Sequence, residues 1–372
     1  MKTEFYLIGG ESTNLLSGTT AAMRRLSLLA LMWAILAQAE DFSYTTNNGT
    51  ITITAYTGSG GDVAIPATIN GLPVTGIGDR AMEGCTNLTN LALLNTAADI
   101  GFEAFRFCIF LTNAVIGGSV TNIGGAAFEN CFSLESVTIG NMVASIGSGA
   151  FNECSSLRDI VIGNNVTSIG SGAFGGCTNL SKVTIPSSVT RIDKAAFAAC
   201  TGVTSFVIPN SVTNVGEGAF SGCENLAHIT IPESVTAIGE GAFWRCGSLT
   251  NAIIPGTITA LPRALFDECT NLASVTIHSG VTTIGPLAFA DCTRLTSVTI
   301  PSGVTNIGDN AFIDCTSLER MYFKGNAPRL GADVFEFTTP ATVYYLPGTT
   351  GWGSTFGGRP TALLRRLPAT AK

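Results

Sequence analysis

The side chains best suited to chemistry in this 372-residue sequence are eleven cysteines: Cys85, Cys108, Cys131, Cys154, Cys177, Cys200, Cys223, Cys246, Cys269, Cys292 and Cys315, each 23 residues from the next. A thiolate can act as a nucleophile, hold a soft metal or pair as a disulfide. The spacing argues against each use. Metal sites cluster their ligands in short motifs, and here there is no Cys-x-x-Cys and only two histidines, His228 and His278. An odd count leaves one thiol over. Strands stacked at ~4.8 Å would bring neighbouring Cα atoms into range, but parallel side-chain vectors cannot supply a disulfide dihedral near about ±90°. The cysteines are expected to be reduced, buried and inert.

Three other groups invite a chemical reading. Gly170-Ser171-Gly172-Ala173-Phe174-Gly175 matches the glycine fingerprint of dinucleotide-binding folds. Its context is a corner shared with Gly147-Ser148-Gly149 and Gly216-Glu217-Gly218, and no strand, long helix and second strand surround it. His228, with Ser205 and Asn251 one repeat to either side, could form a Ser-His pair, but no carboxylate holds the same slot in an adjacent repeat to orient it. Glu217 and Glu240, also one repeat apart, could attract calcium but lack further oxygen ligands. The plainer readings are a repeat corner, a solvated histidine and a solvated acidic edge. No catalytic residue, cofactor or metal is expected, and the chain does not read as an enzyme.

What positions these residues is the repeat itself. After Cys177 come Leu180, Val183, Ile185, Val189 and Ile192, and the pair Ala196-Phe197 precedes Cys200. Leu-x-x-Val-x-Ile ends in period two with β-branched residues, which predicts a short strand with alternate side chains inward. Pro186, Pro209, Pro232, Pro255 and Pro301 follow that strand, where a residue without an N–H belongs. Glycine recurs at a corner, as at Gly124, Gly147 and Gly170, pointing to positive φ or a close backbone approach; Asp193 and Pro262 depart from it. One such turn cannot bury its own apolar face, so turns must stack into a single solenoid with a continuous core.

The pattern Ala-Phe-x-x-Cys-x-x-Leu-x-x-Val-x-Ile-Pro-x-x-Val-x-x-Ile-Gly resembles the BspA-like class of bacterial leucine-rich repeats, over roughly residues 74–346. The flanking segments at residues 62–78 and 344–360 are similar to the same family. The resemblance implies an α/β solenoid: a right-handed array with a parallel β-sheet on one face, short helical turns opposite, and a cap at each end. It also implies a secreted or cell-surface protein of adhesion or recognition.

Residues 23–39 have a basic start at Arg24 and Arg25, an apolar run and a small-x-small end at Ala37 to Ala39, which predicts a signal peptide. Residues 1–22 carry Glu4 and Glu11 and are expected to be a start-site artefact, with translation from Met23. Residues 40–78 are expected to form a hairpin cap around Asn47-Asn48-Gly49 and a lead-in segment, 79–323 the repeats, 324–360 the last turn and C-terminal cap, and 361–372 a loose tail. In the last turn Phe335, Tyr344 and Leu346 are expected to keep the ladder register. No later membrane anchor is read. A net charge of −7 without a basic patch excludes nucleic acid as a partner.

The outward side of the predicted sheet is the most informative surface. Thr138, Val161, Thr184, Val207, Thr230, Ile253, Thr276 and Thr299 form one β-branched column. Beside it Glu135, Arg158, Asp159, Lys182 and His228 interrupt small polar residues and are the candidate partner-binding residues. Mixed signs also allow a self-satisfying salt-bridge cluster. The expected function is binding of a protein or glycan partner at a cell surface or matrix by a monomer; the alternative is a structural spacer without a specific ligand.

Overall fold

The computed structural model describes residues 39–93, 99–117, 119–338 and 340–364. Residues 1–22 and the expected signal peptide, Ala39 apart, lie outside them, as does most of the expected tail. Each 23-residue repeat forms one rung of a parallel β-solenoid. A rung contributes a strand of three or four residues, such as Ser136–Ile139, then a two-residue strand, such as Ser145–Ile146. Both pair in parallel, one rung apart: Ser136 with Asp159, and Ser145 with Ser168. There are thus two sheets where the repeat pattern predicted one. Val-x-x-Ile supplies the second strand, too short to show a period in the sequence.

The third side is a stack of turns, not of helices; among the described residues the single helix is one 3₁₀ turn, Ala39–Asp41. Residues two before and two after each ladder phenylalanine are left-handed: Glu103 (φ 55°) and Phe107 (φ 57°) around Phe105, Gly172 (φ 63°) and Gly176 (φ 70°) around Phe174. Left-handed residues stop helix propagation. They also divide the amides into two sets. Glu103, Phe105 and Phe107 donate one rung ahead, to Gly125 O, Ala127 O and Glu129 O, whereas Arg106 and Cys108 donate back within the rung to Glu103 O and Phe105 O. The turn side is therefore a hydrogen-bonded ladder of its own.

The core is built from columns. Eleven phenylalanines from Phe105 to Phe335 stack along the axis, with centroids 4.9 Å apart at Phe105–Phe128 and 5.9 Å at Phe312–Phe335. Buried alanine, leucine, valine and isoleucine columns surround them. The corner glycines serve close approach. None of Gly124, Gly147 and Gly170 has positive φ, but a Cβ on Gly124 would stand 2.6 Å from the backbone of Gly101.

At the N-terminal end Phe42–Asn47 and Thr50–Tyr56 form an antiparallel hairpin whose turn residues Asn48 (φ 48°) and Gly49 (φ 78°) are both left-handed, as a tight hairpin of matching twist requires. Thr50–Tyr56 pairs with Leu72–Ile77 and so joins the second sheet. The C-terminal end corrects two expectations. Arg320 pairs with Thr342, 22 residues on, so Val343 and not Tyr344 takes the inward position, and Val343 is buried. The missing residue shifts parity by one, which moves Tyr344 outward and displaces the register expected for Tyr344 and Leu346. The chain beyond residue 360 is not loose through its first residues: Arg359–Leu363 is a strand, paired with Thr342–Tyr345 on one side and Thr355–Phe356 on the other.

Candidate functional site

The rungs bring four of the five candidate residues together. Asp159 opens the strand Asp159–Val161 and pairs with Lys182, which opens Lys182–Thr184. Glu135 and Arg158 stand one residue before their strands, linked by Arg158 N donating to Glu135 O at 2.9 Å. By strand alternation they would share the inward side with Val137 and Ile160; because they lie before the strands, their side chains are exposed. His228 is exposed in the Lys182 column but two rungs further on, in register with Ser205.

The salt-bridge cluster does not form. The ion pairs among the described residues join Arg80 and Arg106 to Glu83, Glu103 and Glu129 on the turn side, and Arg191 to Asp193, Lys194 to Glu217, Arg245 to Glu268 and Arg320 to Glu319. None uses Glu135, Arg158, Asp159 or Lys182, so two acids and two bases stand on three consecutive rungs with their charges turned to solvent.

The column leading to this patch is organised. Asn90 Nδ2 donates to Asp62 Oδ1 at 2.5 Å, Asn113 Nδ2 to Asn90 Oδ1 at 2.8 Å, and Ser136 Oγ to Asn113 Oδ1 at 2.6 Å. This side-chain ladder ends at Ser136, one rung before Asp159. The 23-residue recurrence of Asn90, Asn113 and Ser136 was the signal for it, unused because small polar residues on a strand face look alike until their partners are known. Past the patch the β-branched column holds Val207 and Ile253, 69% and 64% exposed, and continues into Tyr322 and Tyr344, whose rings stack at 5.4 Å.

The other chemical readings take simple structural forms. All eleven cysteines are free, and all but Cys85 are buried. From Cys131 to Cys315 each thiol donates to the backbone carbonyl of the ladder phenylalanine one rung back, as Cys131 Sγ does to Phe105 O at 3.2 Å, and Cys108 Sγ donates to Met82 O, in the same slot, at 3.2 Å. Burial pushes the Cys85 thiol up to about 11 and the Cys223 thiol up to about 12. Gly172 and Gly176 belong to the turn stack. Glu217 is 2.9 Å from Lys194 Nζ. Among the described residues no group of three or more His, Cys, Asp or Glu side chains could hold a metal, and no helix is long and apolar enough to cross a membrane.

Repeat, sheets and ring column together define a leucine-rich repeat solenoid, and comparison narrows the class. The profile of the BspA type leucine-rich repeat region matches in six copies, over residues 75–204, 194–319 and 245–350. The chain belongs to the BspA-type leucine-rich repeat family. A leucine-rich repeat protein from Bacteroides ovatus is 25% identical over 87% of this chain and 98% of its own, with a TM-score of 0.56. A leucine-rich cell surface protein from Faecalibacterium prausnitzii is 32% identical over 77% of this chain and 94% of its own, with a TM-score of 0.46. A leucine-rich repeat protein from Eubacterium ventriosum, 22% identical over 84% of this chain and 94% of its own, bears on the fold alone, with a TM-score of 0.50. No curated protein is significantly similar to the chain.

Proposed function

We propose that the protein is an exported, non-enzymatic recognition solenoid that binds a protein or glycan partner at a cell surface or matrix. The observation that carries this reading is the patch of Glu135, Arg158, Asp159 and Lys182: exposed, without ion pairs, and held by laddered strands. A laddered backbone spares the cost of ordering a loop when a partner arrives, leaving only the side chains to be fixed. Family membership supports a recognition role, and the Faecalibacterium relative is described as a cell surface protein. In this reading residues 23–39 direct export, the N-terminal hairpin and the Trp352 region close the two ends of the core, and the monomer presents the first sheet.

The test is the double charge reversal Arg158→Glu with Lys182→Glu. Exposed charges contribute only about 0–1 kcal/mol each to folding, so the melting temperature should stay within a degree or two while adhesion to epithelial cells and extracellular matrix extract falls. Undiminished adhesion by the folded double variant would remove the patch from the function. A wild-type protein that adheres to neither surface would favour the spacer.

A further inference from the structure

Two departures from the repeat fall in one rung. Pro262 holds the corner slot that Gly239 and Gly285 hold in the neighbouring rungs, and Leu265 holds the small-residue slot of Ala242 and Ala288. At other corners the backbone N–H donates one rung back: Gly239 N to Val215 O at 2.8 Å, Gly285 N to Leu261 O at 2.9 Å, and even Asp193 N to Ile169 O at 3.1 Å. Proline has no N–H to give, so Ile238 O loses that bond.

The consequence is visible on three sides of the solenoid. The second sheet stops at Ala237–Ile238 and restarts at Ala260–Leu261, and the first sheet is unladdered across the same interface, between His228–Thr230 and Asn251–Ile254. The first sheet has two other gaps, after Lys182–Thr184 and after Ser274–Ile277, but the second sheet runs unbroken past both. Among the described repeats both sheets part only at this interface. Ile238 is partly exposed there, whereas Ile192, Val215 and Ile284 are fully buried. On the turn side Phe243 N to Leu265 O stretches to 3.2 Å, against 2.9 Å for both Phe220 N to Ala242 O and Phe266 N to Ala288 O. The bulkier leucine in an alanine column lengthens this one bond, to its own carbonyl, while the turn bonds on either side of it stay at 2.9 Å.

We propose that this interface is a joint at which the solenoid bends, with the turn stack as hinge and the two sheets as the sides that open. The hinge keeps its backbone bonds, Gly241 N to Arg263 O and Arg245 N to Asp267 O, both at 2.9 Å, and the Phe243–Phe266 stack at 5.5 Å. Away from the hinge the rungs are tied by side chains, Thr257 Oγ1 to Val235 O at 2.5 Å and Glu233 Oε2 accepting from Gly256 N at 2.8 Å, and by two backbone bonds ahead of the first-sheet strands, Ser248 N to Glu224 O at 2.9 Å and Thr250 N to Ala227 O at 3.4 Å. Bending changes the separation of His228 from Asn251 and exposed Ile253, and with it the curvature of the outward face.

Amide hydrogen exchange on the intact protein tests the joint. Peptides covering residues 251–262 should exchange at least about ten-fold faster than the equivalent peptides 228–239 and 274–285. Pro262→Gly with Leu265→Ala restores the residues of the neighbouring rungs, and should slow exchange in 251–262 by roughly five-fold or more, the effect of regaining one backbone hydrogen bond. Equal exchange of the three segments in the wild type overturns the proposal. So does a folded double variant whose exchange is unchanged.

Discussion

Two side chains show how position in the stack sets chemistry. Cys85 heads the thiol column, half-buried and without the carbonyl partner that the later thiols have, and its raised pKa comes first from desolvation and then from Cys108. A thiol titration of native protein should find Cys85 reacting slowly and alone, and the denatured chain should yield all eleven groups. A low count in both conditions would mean disulfides. Asp267 is raised to about 6 by burial first, and then by Glu268 and Asp291. An acid whose folded pKa is raised contributes stability below its unfolded pKa and loses it as pH rises through the folded value. Asp267→Asn should therefore melt above the wild type at pH 7.5, and the difference should shrink as pH falls to about 5. A gap independent of pH would assign the effect to packing.

Within a rung, the same residue type has different roles in different slots. A Cβ on Gly147 would lie 2.6 Å from the backbone of Gly124, whereas one on Gly172 meets nothing within 4 Å. Gly147→Ala should cost about 1–3 kcal/mol by forcing rungs apart. Gly172→Ala should cost no more than about 1 kcal/mol, since Ala126 and Ala195 already hold that slot at φ 52° and 54°. Denaturant melts of the pair decide it, and equal losses would show that the corner is not a close approach. Phe220 stacks with Phe197 at 5.7 Å and Phe243 at 5.6 Å, and meets Phe206 edge-on at 4.7 Å. Phe220→Ala should cost about 3–5 kcal/mol; a variant melting within a degree of the parent would exclude the ring column from the core.

Over the whole molecule, each rung depends on its neighbours, so the ends are where an array is most exposed. The N-terminal hairpin buries Ile51 and Ile53 completely and supplies the strand beside Leu72–Ile77. A protein beginning at residue 58 should aggregate or melt lower than one beginning at Glu40, and an equally soluble and stable truncation would deny the hairpin a capping role. Export should leave Glu40 as the first residue, which mass spectrometry of secreted protein reads directly.

The sequence by itself determined the period, the inward columns of Phe105, Leu111 and Ile116 and their equivalents, and the family, because burial repeats with the chain and one strong periodicity leaves a legible mark. It also placed Glu135, Arg158, Asp159 and Lys182 on successive rungs. Tertiary structure alone decided how backbone groups are satisfied. A two-residue strand such as Ser145–Ile146 exists only because Asn122–Ile123 and Ser168–Ile169 lie beside it. The turns could not be told from helices, since Glu103, Asn310 and Asp314 adopt left-handed φ without a glycine to announce it. The lack of ion pairs in the charged patch was equally hidden, because side-chain direction at a strand's first residue depends on where the ladder begins.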